Sequence, residues 1–134
     1  MAFGTGDGPP LAWYPVTLQT FHSDWAWVVV VSNAVSGLWA LGAHWLPALR
    51  LRPLWWLVIA AQISVAVEVA IGVYLLSVQD VDAPEFHVFY GFITLITVMI
   101  LYAYRLQLRD RLYLLYGAGG LFLMGLGIRA MLLS

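Results

Sequence analysis

Four runs of apolar sequence, Ser23 to Leu46, Pro53 to Val78, Pro84 to Ala103 and Leu112 to Ser134, occupy most of this chain. Each supplies the roughly 20 residues that a helix rising 1.5 Å per residue needs to cross about 30 Å of hydrocarbon. Inside a bilayer the backbone must satisfy its own hydrogen bonds, and a helix does so within a single segment. The expected fold is therefore all-α: a polytopic membrane protein, with spans at about residues 23–46, 53–78, 84–107 and 111–133. Of the 134 residues, 63% are hydrophobic and 10% charged, which leaves little sequence for a soluble domain.

The connections between the runs are short, so sequential helices must turn back on one another, and an antiparallel up-and-down four-helix bundle is the expected arrangement. Arginine placement orients it. Arg50 and Arg52 lie between the first two runs, and Arg105, Arg109 and Arg111 between the last two. The positive-inside rule then makes loops 47–52 and 108–111 cytoplasmic. The loop at 79–83 carries Asp80 and Asp82 and no base, so it and both termini are expected outside, in a multi-pass protein of a bacterial inner membrane. Residues 1–22 are expected to form an extracytoplasmic interfacial segment and residues 23–134 the transmembrane domain. That first segment has no Lys or Arg to make the n-region of a secretory signal, and Trp13 and Tyr14 suit the headgroup level.

Helix punctuation fits these breaks. Ser23 can cap the first helix and Asp110 the fourth, while Pro53 and Pro84 suit first-turn positions. Trp25, Trp27, Trp39, Trp45, Trp55 and Trp56 fall mostly near span ends and read as interfacial belts. The glycines between Gly117 and Gly127 thin the fourth helix for close contact with a neighbour.

Ionisable groups within spans cost about 2.5–3.5 kcal/mol each at the helix centre, so the few present need a reason. Glu68 in the second span and Arg129 in the fourth differ in depth by only about 5 Å, which predicts an ion pair between them; the alternative is an Arg129 that snorkels outward to the headgroups beside a protonated Glu68. His22 and His87 form a second constellation. They stand at the outer ends of the first and third helices, which are diagonal in an up-and-down bundle, so their imidazoles can face each other across the core. Two axial nitrogens on opposite faces of a planar macrocycle are what a bis-imidazole haem requires, and Gly91, one turn below His87 and next to Tyr90, would leave room for a ring edge. At 100° per residue His22, Asn33 and His44 follow one stripe of the first helix. Ala61, Ser64, Glu68 and Gly72 make a similar stripe on the second, and His87, Gly91 and Thr94 on the third; small and polar faces are how membrane helices approach one another.

On His22 and His87, and on the four-helix layout across residues 22 to 134, the chain resembles small b-type haem membrane proteins, the cytochrome b561-like group and half of a haem A synthase. The resemblance implies a haem b held between histidines of non-adjacent helices, with His22 and His87 as ligands and Gly91 and Tyr90 beside it. Three histidines, with His44 about 33 Å of helix away from His22, admit at most one haem.

Three other readings of the polar groups stay open. His22 and His87 can be plain interfacial residues; His22, Asp24, Glu85 and His87 can hold a metal ion; and the outer histidines with Glu68 and Tyr90 can line a quinone pocket. The function classes are accordingly a redox protein or redox-complex subunit, a non-catalytic structural or accessory subunit of a larger membrane complex, and a small transporter or channel. The expected partners are the lipid bilayer and other membrane proteins or further copies of the chain. Soluble-enzyme signatures such as a nucleophile elbow, a phosphate loop or a HExxH helix are absent, and a formal net charge of −1 gives no basis for binding nucleic acid. The absence of cysteine removes disulfides and thiolate metal sites.

Overall fold

The computed structural model describes residues 17–134, and they fold into four long helices with no strand among the described residues. These are α1 (Leu18–Trp45), α2 (Arg52–Ser77), α3 (Glu85–Tyr104) and α4 (Leu112–Leu132). All four are long and apolar enough to cross a membrane. The expected interfacial strip falls largely in residues 1–16, outside the described residues.

Helix ends differ from the expected ones in ways that matter for the site. Thr17, not Ser23, caps α1, its side-chain oxygen accepting from the Thr20 N–H at 3.1 Å. His22 therefore belongs to the second turn of α1 and not to a preceding segment. Pro53 takes its first-turn place in α2, whereas Pro84 is the residue before α3. Asp110 does not cap α4; it lies in a 3-10 turn, Arg109–Arg111, and the helix starts without a side-chain cap. The third helix stops at Tyr104, short of the expected 107.

Contacts fix the packing. Along α1 and α2, His22 meets Gly72, Trp25 meets Ser64, and Asn33 meets Ala61, so the two helices run in opposite directions. Along α1 and α4, Val30 meets Gly127, Gly37 meets Gly120, and Leu41 meets Gly117, again antiparallel. α3 packs on α4 through Leu101 against Gly119 and His87 against Ala130, and it packs only sparsely on α2. α1 and α3 thus stand diagonally, as do α2 and α4.

The α1–α4 seam is a backbone-to-backbone contact. A Cβ placed on Gly120 would lie 2.9 Å from Gly37 Cα, and one on Gly117 would lie 2.7 Å from Leu41 N. Lipid tails are as apolar as leucine, so close packing and hydrogen bonds, more than the hydrophobic effect, hold such helices together. Asn33 supplies one of those bonds on the buried face of α1. Its amide donates to Val29 O at 2.8 Å and reaches Ala61 O of α2 at 3.5 Å.

The opposite end of the bundle is pinned by Arg50 and aromatic rings. Arg50 Nε donates to Ala43 O at 2.8 Å and Nη2 to His44 O at 3.1 Å, satisfying carbonyls at the end of α1, while its guanidinium lies 5.0 Å over the Tyr113 ring. Arg50→Ala should lower stability by about 1 kcal/mol in thermal unfolding in mild detergent. An unchanged midpoint would show that solvent replaces these bonds at no cost. Three of the six tryptophans expected in interfacial belts make tertiary contacts. Trp25 Nε1 donates to Ser64 O at 2.9 Å, Trp39 Nε1 donates to Leu49 O at 2.9 Å, and Trp55 packs on Tyr113 and Tyr116. Trp27, Trp45 and Trp56 are exposed, as a belt requires.

Candidate functional site

The end of the bundle where α1 and α3 begin encloses a cleft of about 540 Å³. All four helices and the turn at 81–84 contribute to its wall, which is mostly apolar, with His22, Glu68 and His87 as its ionisable groups inside the bundle. α2 and α3 pack only sparsely on each other, and two glycines stand in the cleft wall. Gly72 of α2 faces the His22 ring, and a Cβ at Gly91 of α3 would find nothing within 4 Å. The turn that carries the chain from α2 to α3 holds Asp80 at φ 52, a left-handed conformation that Asp tolerates better than most residues.

His22 and His87 meet inside this cleft from diagonal helices. Their ring centroids are 5.9 Å apart with an interplanar angle of 85°. His87 Nδ1 lies 2.8 Å from Ala130 O on α4; a carbonyl can only accept, so this bond places the proton on Nδ1. His22 Nδ1 lies 3.3 Å from Glu68 Oε2 on α2, each side chain being less than one-fifth exposed. Those two atoms are fully buried, and neither has an aligned hydrogen bond among the described residues. Buried polar atoms in a folded protein are normally paired, so this unmatched pair singles out the cleft wall as a candidate site.

Several expected site groupings change. Glu68 does not pair with Arg129: its partner is His22, while Arg129 is exposed and its guanidinium lies 5.9 Å from the Tyr90 ring centroid. Arg129 faces outward from α4, so equal depth does not bring the two side chains together. Tyr90 is turned toward Arg129 and Phe89 and is not part of the cleft wall. The four-residue metal set is not assembled, because no group of three or more His, Asp or Glu side chains converges among the described residues. Asp24 and Glu85 each stand two residues from their histidine, about 200° around the helix, and both are exposed. His44 lies at the other end of α1, edge-on to Trp45 at 4.9 Å.

Trp25 has a role that belt placement does not anticipate. It sits one turn after His22 on the same side of α1, and its bond to Ser64 O ties α1 to α2 one turn from Glu68. Its position three residues beyond an inward-facing histidine is the signal that could have identified it. No protein-family model, curated protein or solved structure matches this chain.

Proposed function

We propose that this chain is a four-span redox protein, or a redox-complex subunit, of a bacterial inner membrane that holds one b haem between His22 and His87. The observation that carries the reading is the meeting of two imidazoles from diagonal helices, 5.9 Å apart beside a largely apolar cleft, each with an oxygen acceptor at its Nδ1. Metal-ligating histidines characteristically give one ring nitrogen to a carboxylate or backbone carbonyl and keep the other for the metal. The donor set and the cleft volume both fit such a group.

Once bound, a b haem would supply one-electron transfer. The chain's own residues do the rest. α1 and α3 bring the imidazoles in from opposite sides, Ala130 O holds the His87 tautomer, and Gly72 and Gly91 keep the cleft walls low. Valines and leucines of α1 and α2 keep water out, and Gln19, Ser23 and Ser134 offer polar groups at the rim. The arginine distribution supports the orientation: loops 47–52 and 108–111 cytoplasmic, both termini and the turn at 79–83 outside, and the cleft in the outer half of an up-and-down bundle surrounded by lipid.

The test is the visible spectrum of the full-length protein purified in mild detergent after haem-supplemented expression, oxidised and then dithionite-reduced. The wild type should show a reduced b-type α-band that His22→Ala and His87→Ala each abolish. A colourless wild type, or a band that survives both substitutions, overturns the reading.

A second reading, as an accessory subunit, is favoured by α3. Only 11% of its most apolar stretch is buried within the bundle, against 22% or more in the other helices, and Phe86, Phe89, Phe92 and Met99 are exposed on it. Colourless protein that copurifies with a larger membrane protein would select that reading.

A further inference from the structure

We infer that Glu68 is the positioning residue of the cleft: it accepts the Nδ1 proton of His22, fixes that tautomer, and so leaves Nε2 as the free donor for a ligand. The inference deepens the haem reading and rests on it for its functional meaning. Its structural core is the seat that α2 makes for one imidazole. Glu68 and Gly72 are one turn apart on the same face of α2. The carboxylate meets the ring at Nδ1, at 3.3 Å. The missing side chain of Gly72 accommodates the ring, since a Cβ there would be 3.2 Å from His22 Cε1 and 3.7 Å from Nε2.

No basic side chain competes for the carboxylate. Among the described residues Glu68 has no basic side chain within 4.0 Å other than His22, and Arg129 is exposed. A buried carboxylate without a strong partner is costly in a membrane, so its retention on the cleft wall calls for a use. Neither buried atom has another hydrogen bond to give up in aligning the contact.

The two imidazoles are then held differently. His87 is oriented by a neutral carbonyl, whereas His22 is oriented by a carboxylate, which draws the Nδ1 proton toward itself and makes the opposite nitrogen a stronger donor. A stronger donor favours the oxidised form of a bound iron. His22 is thus the ligand that sets the potential, and His87 the one that completes the site.

The experiment compares wild type, Glu68→Gln and Glu68→Leu as full-length proteins in mild detergent, with two readouts. The first is the 15N NMR signature of His22 in protein prepared without haem. The Nδ1–H tautomer should dominate in wild type and Glu68→Gln, since an amide oxygen also accepts, and give way to a mixture in Glu68→Leu. The second uses added haem. Glu68→Gln should keep the spectrum with a higher midpoint potential, and Glu68→Leu should weaken haem binding about 10–100-fold. A His22 tautomer unchanged in Glu68→Leu, or a potential unchanged in Glu68→Gln, overturns the role of Glu68 while leaving the haem reading intact. A colourless wild type whose His22 tautomer still depends on Glu68 overturns the haem reading and supports the positioning role.

Discussion

Gly120→Val should destabilise the protein by about 3 kcal/mol, because the added side chain meets the backbone of a neighbouring helix. At Gly120 the first added carbon would lie 2.9 Å from Gly37 Cα and 3.1 Å from Asn33 O, which are backbone atoms of α1 with no rotamer to yield. α1 and α4 would have to separate. Separation would also disturb Asn33, whose amide links α1 to α2, so the damage would not stay at one seam. Gly125→Val is the control, because a Cβ there would find nothing within 4 Å and the residue is exposed. It should change stability by no more than about 0.5 kcal/mol. Unfolding in mixed micelles with increasing dodecyl sulfate measures both variants. Equal losses would assign the effect to helix propensity and not to close approach.

The helices were legible in the sequence because length and apolarity are enough to identify membrane-crossing segments. Azimuth was less legible. The count of residues puts Glu68 and Arg129 at one depth, but pairing also needs both side chains to turn inward, and α4 is so evenly apolar that its sequence hardly distinguishes inward from outward. Arg129 points out, and it is Ala130, through its carbonyl, that reaches the site. No sequence pattern could reveal that contact, since every residue carries the same carbonyl. Where small and polar residues mark a stripe, the sequence did better: Asn33 on α1, Ala61 and Ser64 on α2 and Thr94 on α3 are buried, and the other stripe residues are half-buried.

The start of α1 shows a different failure. Ser23 and Asp24 look like a helix cap because short polar side chains favour caps, yet the chain is already helical from Leu18. Tertiary contacts explain the difference, since His22 and Trp25 both have partners on α2 that hold this turn helical. The same contacts carry His22 from the edge of the bundle into the cleft, so an error of a few residues in one boundary changed the meaning of a site residue.

Filling the cleft at Gly91 should produce the largest functional effect with the smallest structural one. Gly91→Phe places a ring on the α3 wall, where a Cβ meets no atom within 4 Å and the neighbouring space is the cleft, and the unfolding transition should move by no more than about 0.5 kcal/mol. Neither His22 nor His87 is replaced, and the bond from His87 to Ala130 O lies one turn away on the same helix. The new ring would occupy space within the roughly 540 Å³ cleft that a planar cofactor between the histidines would need. A protein that folds normally but no longer takes up haem would locate the binding volume in this cleft without altering a ligand. Retention of the full wild-type spectrum would instead place any haem outside the α2–α3 side of the cleft, and the His22–His87 contact would then be a packing feature of the outer half of the bundle.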